Sequence, residues 1–244
     1  MRQTTDIEQV RKIAKAFLMI EPAKTEFSPL IVQHPFTNCG LCVITDGEEH
    51  KTVDITQSES NLLAWQEYVS EIIDRSDLTG IFCNLNTPYA LTFLKYAEPF
   101  ITRTDLSEIL ARVWIQSENP NSNVDVTKTD IRNLFEKADP TVLMDENERK
   151  QLSELDDTIT VYRGVTKENS KNIRAFSWTL DYDKAAWFAH RFNEDGTVYS
   201  AQIDKDHIFA LFNGRNESEV IVDPRYLSEI KDMDISQTDI KLQQ

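Results

Sequence analysis

The hydrophobic period of this chain changes at Asp157, and that change limits what it can fold into. From there on apolar and polar residues alternate: Ile159 and Val161, set between Thr158, Thr160 and Tyr162, predict a half-buried strand ending on Arg163 and Gly164. Further strands are predicted near Ala175 to Thr179 and over Thr197 to Ile203, Ile208 to Phe212 and Glu219 to Val222. Glu194-Asp195-Gly196 and Asn213-Gly214 read as turns and Asp223-Pro224 as a stop. One helix interrupts the strands. Asp181 is placed to cap it, and Ala185, Phe188, Ala189 and Phe192 recur on its inner face. The outcome is a β-rich core over residues 157–225 of an α+β protein.

Before Asp157 the texture is mixed, then helical. Thr5 and Glu8 have the capping-box spacing, ahead of a stripe of Ile7, Val10, Ile13, Ala14, Phe17 and Leu18. Short strands are predicted at Leu30 to Val32, Leu41 to Thr45 and His50 to Ile55, the last two joined through Asp46-Gly47. Thr56 with Glu59, and Thr87-Pro88, open two more helices and complete an N-terminal α+β domain over 1–100, with no role legible in it. Residues 101–156 read as a helical shoulder on the C-terminal domain, 101–244. Leu106, Ile109, Leu110 and Val113 share a helix face, Asn119-Pro120-Asn121-Ser122-Asn123 breaks it, and Thr127 with Asp130 and Asp145 with Glu148 cap the next two helices.

Charge narrows the partners. A formal net charge of -15 sets the global field against nucleic-acid phosphates and mildly favours a basic protein partner. The longest apolar runs, such as Ile208-Phe209-Ala210-Leu211-Phe212, fall far short of the roughly 20 residues of a membrane span. The first residues lack the basic start and apolar stretch of a secretion signal. A cytoplasmic protein is expected, in its own cell or in a host cell into which it is delivered. Cys39, Cys42 and Cys83 form an odd set suited to reduced thiols; Cys39 and Cys42 have redox or metal spacing but no second pair, so no metal is expected.

Three segments of the β-rich part carry chemistry. Tyr162-Arg163-Gly164 puts a permanently charged donor fork at a strand end, beside a residue whose backbone a ligand can approach closely. Ser177-Trp178-Thr179 supplies hydroxyls on a second strand, and Glu217-Ser218-Glu219 sets two carboxylates on one strand face if the chain there is extended. Each is commonplace alone: a surface arginine, a strand-end glycine, two acids on a solvated edge. Together they suit cleavage of a glycosidic bond, where a fixed carboxylate stabilises an oxocarbenium-like sugar.

Over roughly Asp156 to Pro224 these motifs resemble the mono-ADP-ribosyltransferases of the arginine-serine-glutamate class, which include clostridial binary toxins and several phage and vertebrate enzymes. That family ends its first core strand on aromatic-Arg-Gly, begins another with Ser-Thr-Ser, and closes its site with Glu-x-Glu running into an aliphatic strand. The counterparts are Tyr162-Arg163-Gly164, Ser177-Trp178-Thr179, and Glu217-Ser218-Glu219 ahead of Val220-Ile221-Val222. Trp178 departs from the family's Thr, at a position whose side chain should point away from the site. The resemblance implies a split β-sandwich that consumes NAD as a substrate and needs no metal. Arg163 would anchor NAD beside Tyr162, with Gly164 on the nicotinamide amide; Ser177, Trp178 and Thr179 would form the nicotinamide-ribose pocket, and Ser177 would hold Glu219. Glu219 would stabilise the transition state and Glu217 would prepare an arginine acceptor on a protein. A toxin- or effector-like glycosyltransferase of bacterial or phage kind is the implied class.

Tyr182 is the one aromatic near these motifs kept as a lid or acceptor contact, while Phe188 groups with the core and His190 and His207 read as ordinary histidines. Two other functions share the pattern. An NAD glycohydrolase would use the same first step with water as acceptor, and a non-catalytic interaction protein would retain the fold with weak NAD affinity or a plugged cleft.

Overall fold

The computed structural model describes residues 2–167, 169, 172–191, 195–214 and 217–233. The predicted inward Phe192 and the turn residue Glu194 lie outside them. The chain is mixed α+β, and its contacts divide it into two units: Met1–Ser117 with Asp125–Asp130, and Glu118–Val124 with Ile131–Gln244.

In the first unit, α1 (Ile7–Leu18) buries Val10, Ala14 and Leu18. Its cap is Asp6, which takes the Gln9 amide, one residue beyond the predicted Thr5. Thr5 is occupied elsewhere, donating to Asp105 and accepting from the Thr102 N–H. Two small antiparallel sheets follow, one of β1 (Ala23–Lys24), β2 (Ile31–His34) and β3 (Thr37–Cys39), the other a hairpin of β4 (Leu41–Asp46) and β5 (Glu49–Asp54) turned at Gly47. Ser58 caps α2 (Glu59–Arg75) because the predicted Thr56 gives both its amide and its hydroxyl to Asp54. Then come α3 (Leu78–Cys83), α4 (Thr87–Ala97) and α5 (Arg103–Gln116). The predicted face of α5 is buried, with Leu106, Ile109, Leu110 and Val113 all inside. It packs on α4 in the first unit, whereas composition had grouped it with the C-terminal domain. Phe93, Leu94 and Trp114 are fully buried here, each worth about 1.5–3 kcal/mol by area.

The Thr127 and Asp130 pair caps α6 (Lys128–Lys137) as predicted. In the second unit, α7 (Pro140–Leu143) and α8 (Glu146–Glu154) precede the sheet, and Asp145 with Glu148 closes the predicted capping box. The strands are β6 (Thr158–Val165), β7 (Ser177–Thr179), β8 (Thr197–Asp204), β9 (Ile208–Phe212), β10 (Glu219–Val222) and β11 (Ser228–Met233), with α9 (Tyr182–His190) between β7 and β8. They form one antiparallel sheet in the order β11-β8-β6-β7-β10-β9. Every residue of β10 is buried, Glu219 included, as its near-continuous apolar sequence requires. The edge strand β11 has no apolar alternation to announce it, and almost all its residues are exposed. Among the described residues no helix is long and apolar enough to cross a membrane.

Candidate functional site

The three sequence segments meet because β7 lies between β6 and β10. Its register sets Thr179 opposite both Tyr162 and Glu219, and Ser177 opposite Ile221. Helix α9 then crosses over β6, capped by Asp181 and seated through Ala185 and Ala189 on Val198. The crossing is close enough to explain Gly164. A Cβ there would run into the Ala185 carbonyl oxygen and lie 2.5 Å from the Ala189 amide nitrogen, so this glycine admits a helix as well as facing a ligand space.

A cavity of about 350 Å³ opens within the second unit, and the site residues taken from the three motifs line it: Tyr162, Arg163, Gly164, Ser177, Trp178, Thr179, Glu217 and Glu219. Arg163 is its electrostatic centre. The guanidinium is buried, its Nη1 donates to the Ser177 carbonyl at 2.6 Å, and its Nε is buried without a hydrogen-bond partner. Burial pulls its pKa down to about 10 while the charge of Glu219 works in the opposite direction, so it stays cationic at neutral pH. Glu219 itself is 8% exposed.

Thr179 acts through the backbone. Its hydroxyl donates to the Glu217 carbonyl at 2.7 Å and accepts from the Asp181 N–H at 3.0 Å, tying the acidic segment to the start of α9. The two carboxylates do not share an extended strand. Ser218 has φ 44, in the left-handed region, and β10 begins only at Glu219. The chain turns between them, and both still face the same cavity. Trp178 is buried, its indole N–H on the Ala175 carbonyl at 3.0 Å.

Sequence reasoning missed much of the rest of the cavity wall, including Phe188, Arg191 and Asn121. Phe188, grouped with the core by its helical period, lines the cavity, as does Arg191, whose guanidinium lies 5.7 Å from the Phe188 ring centre. A cation one turn beyond an aromatic on α9 is the signal that was available. Asn121 comes from the segment read as a helix breaker, and nothing local marks it. Tyr182 is not among the lining residues; its ring meets Tyr162 edge-on at 5.6 Å and belongs to the packing of α9. His207 stacks on Tyr226 with ring centres 3.5 Å apart. Among the described residues no cluster of His, Cys, Asp or Glu is arranged to hold a metal ion. Cys39 and Cys42 are free thiols, and burial pushes Cys42 up.

The cavity therefore carries two cations, Arg163 and Arg191, and the carboxylates of Glu118, Glu217 and Glu219. Such a division suits a ligand with an anionic end and a centre that becomes positive. No protein-family model, curated protein or solved structure matches the chain.

Proposed function

We propose that this chain is an NAD-dependent mono-ADP-ribosyltransferase that transfers ADP-ribose to an arginine of a protein, with its second unit a variant of the split β-sandwich of that class. One observation carries the reading: Arg163, Ser177, Glu217 and Glu219, distant in sequence, line a single cavity. Arg163 and Arg191 receive the pyrophosphate, for which charged planar forks are the natural donors. The bond from the ribose C1′ to the nicotinamide nitrogen breaks, nicotinamide leaves with the electron pair, and Glu219 stabilises the positive sugar from a site already held out of water. A guanidinium nitrogen of the acceptor then attacks C1′ and gives its proton to Glu217.

The test follows nicotinamide release and transferred label separately, with labelled NAD and agmatine or a protein lysate as acceptor. Wild type should label the acceptor. Glu219→Gln should lose about 10²–10³-fold in both signals with unchanged melting, and Glu217→Gln should lose transfer while retaining nicotinamide release. Nicotinamide release without transfer in the wild type would make the protein a glycohydrolase, and neither signal would leave a binding protein.

A further inference from the structure

Asn121 is held at three points. Its Oδ1 accepts from the Phe176 N–H at 2.9 Å, its Nδ2 donates to the Ser177 hydroxyl oxygen at 2.8 Å, and its backbone carbonyl accepts from the Asn172 side chain at 3.1 Å. The orientation of the amide is decided by chemistry. A backbone N–H can only donate, so the group facing Phe176 must be the oxygen and the group facing Ser177 must be the NH2. The opposite flip would set two N–H donors against each other.

A hydroxyl that accepts from an amide keeps its own proton for a different acceptor. The Ser177 proton has no lone pair to meet on the Asn121 nitrogen, so it points elsewhere. The strand register sets Glu219 opposite Thr179 and so diagonal to Ser177 on the adjoining strand, a separation of roughly 7–8 Å that a long side chain spans. We propose that Asn121 is a positioning residue. By donating to Ser177 it commits that hydroxyl to donate into the cavity, onto the Glu219 carboxylate, which is thereby held ionised and in one orientation. The consequence for turnover rests on the transferase reading; the direction of the proton does not.

A double-mutant cycle on the full chain tests this, with Asn121→Asp, Ser177→Ala and the pair. The Asp variant keeps an acceptor for Phe176 but offers Ser177 an acceptor in place of a donor, drawing the hydroxyl away from Glu219. It also adds a charge, and the cycle removes that contribution. Carboxyl-carbon NMR of Glu219 should show an upward pKa shift for Asn121→Asp that is larger with Ser177 present than in the Ser177→Ala background. Equal shifts in the two backgrounds overturn the proposal. In turnover, Asn121→Asp should lower kcat about 10- to 100-fold with little change in KM for NAD, and should cost nothing further once Ser177 is Ala.

Asn121→Ala adds a check on a merely structural role. It deletes both side-chain hydrogen bonds but leaves the Ser177 proton free, so it should lose less kcat than the Asp variant; the reverse order overturns the proposal. Should the Asp variant not fold, the Ala variant carries the cycle, with non-additivity expected and additivity refuting. A wild type that releases no nicotinamide removes the transferase reading alone, because the Glu219 titration still reports where the proton points.

Discussion

Each unit contains a hollow lined by charged groups, and the two use those charges differently. The hollow of the first unit, about 510 Å³, is lined in part by Arg11, Arg75, Asp77 and Asp105. All four serve the fold locally. Arg11 pairs with Glu8 at 2.6 Å and donates to the Ser76 carbonyl at 2.9 Å, and Arg75 pairs with Glu71. Asp77 caps α3, and Asp105 receives the hydroxyls of Thr5 and Thr102. Helix caps and surface pairs of this kind contribute up to about 1 kcal/mol each. In the smaller cavity of the second unit the Arg163 side chain is partly exposed but its Nε is buried without a hydrogen-bond partner, and Glu219 is 8% exposed. Arg11 also has an Nε without a partner, but its Nη1 is directly paired with the Glu8 carboxylate. Volume does not mark a site. Charge held out of water with bonding capacity to spare does, because the fold alone gains little from it.

Paired substitutions test that contrast most severely. Arg163→Met should weaken NAD binding by about 10²-fold or more, the scale for losing one side of a buried charge pair. Its melting temperature should change little, because the cost of burying the guanidinium disappears while the Ser177 carbonyl loses its donor and the buried Glu219 loses a compensating charge. Arg11→Met should do the opposite, lowering the melting temperature modestly with NAD affinity intact. Calorimetric titration and thermal melts on the same preparations read both. If Arg163→Met melted well below Arg11→Met, the buried arginine would be a structural element and the contrast would be void.

Gly164 comes next in size. Because an added Cβ meets backbone of α9 rather than a movable side chain, Gly164→Ala should destabilise by about 1–3 kcal/mol, read as a lower denaturant midpoint. An unchanged midpoint would show that α9 can shift off β6, and the cavity wall it supplies would then be adjustable.

What could be read in advance follows the range of the forces involved. Caps and strand periods are local, so Asp145 with Glu148, Thr127 with Asp130 and the alternation of β6 were legible. Where two neighbouring residues compete for one cap the choice was missed, as with Asp6 over Thr5, because the loser is taken by a residue about a hundred positions away. The site motifs were legible because each holds adjacent residues on one strand or turn. Asn121 was not: its value lies in Ser177 and Phe176, more than fifty positions on, and its own neighbourhood says only that a helix has stopped. Phe188 failed for a related reason, since period assigns it to a face of α9 without saying that a cavity adjoins that face.

The first unit also buries a titratable group, in its neutral form. His34 is fully buried, its Nδ1 accepts from the Phe36 N–H at 3.0 Å, and its Nε2 therefore carries the proton toward the Leu18 carbonyl at 3.2 Å. Burial holds its pKa below the ordinary 6.5. A folded-state pKa below the unfolded one means that its contribution is complete above about 6.5 and declines as pH falls toward the folded value, at no more than about 1.4 kcal/mol per pH unit. Melting followed from pH 7 to 5 should fall more steeply in wild type than in His34→Gln. Parallel curves would mean that the imidazole titrates alike folded and unfolded.

The smallest effect divides the second unit's site within itself. Ser218 holds a left-handed backbone between the two carboxylates, a conformation that costs a side-chain-bearing residue about 1–2 kcal/mol and glycine almost nothing. Ser218→Gly also loosens the unfolded chain, which offsets much of that gain, so the net change in stability should stay within about 1 kcal/mol, with nicotinamide release and arginine transfer both kept. Ser218→Val is the informative partner. A β-branched residue resists positive φ and should displace Glu217, whose carbonyl is held by Thr179, while Glu219 stays fixed in the β10 ladder. Transfer should therefore fall further than nicotinamide release. If the two signals fell together, the carboxylates would move as one body, and the division of labour between a strand-held and a turn-held acid would be wrong.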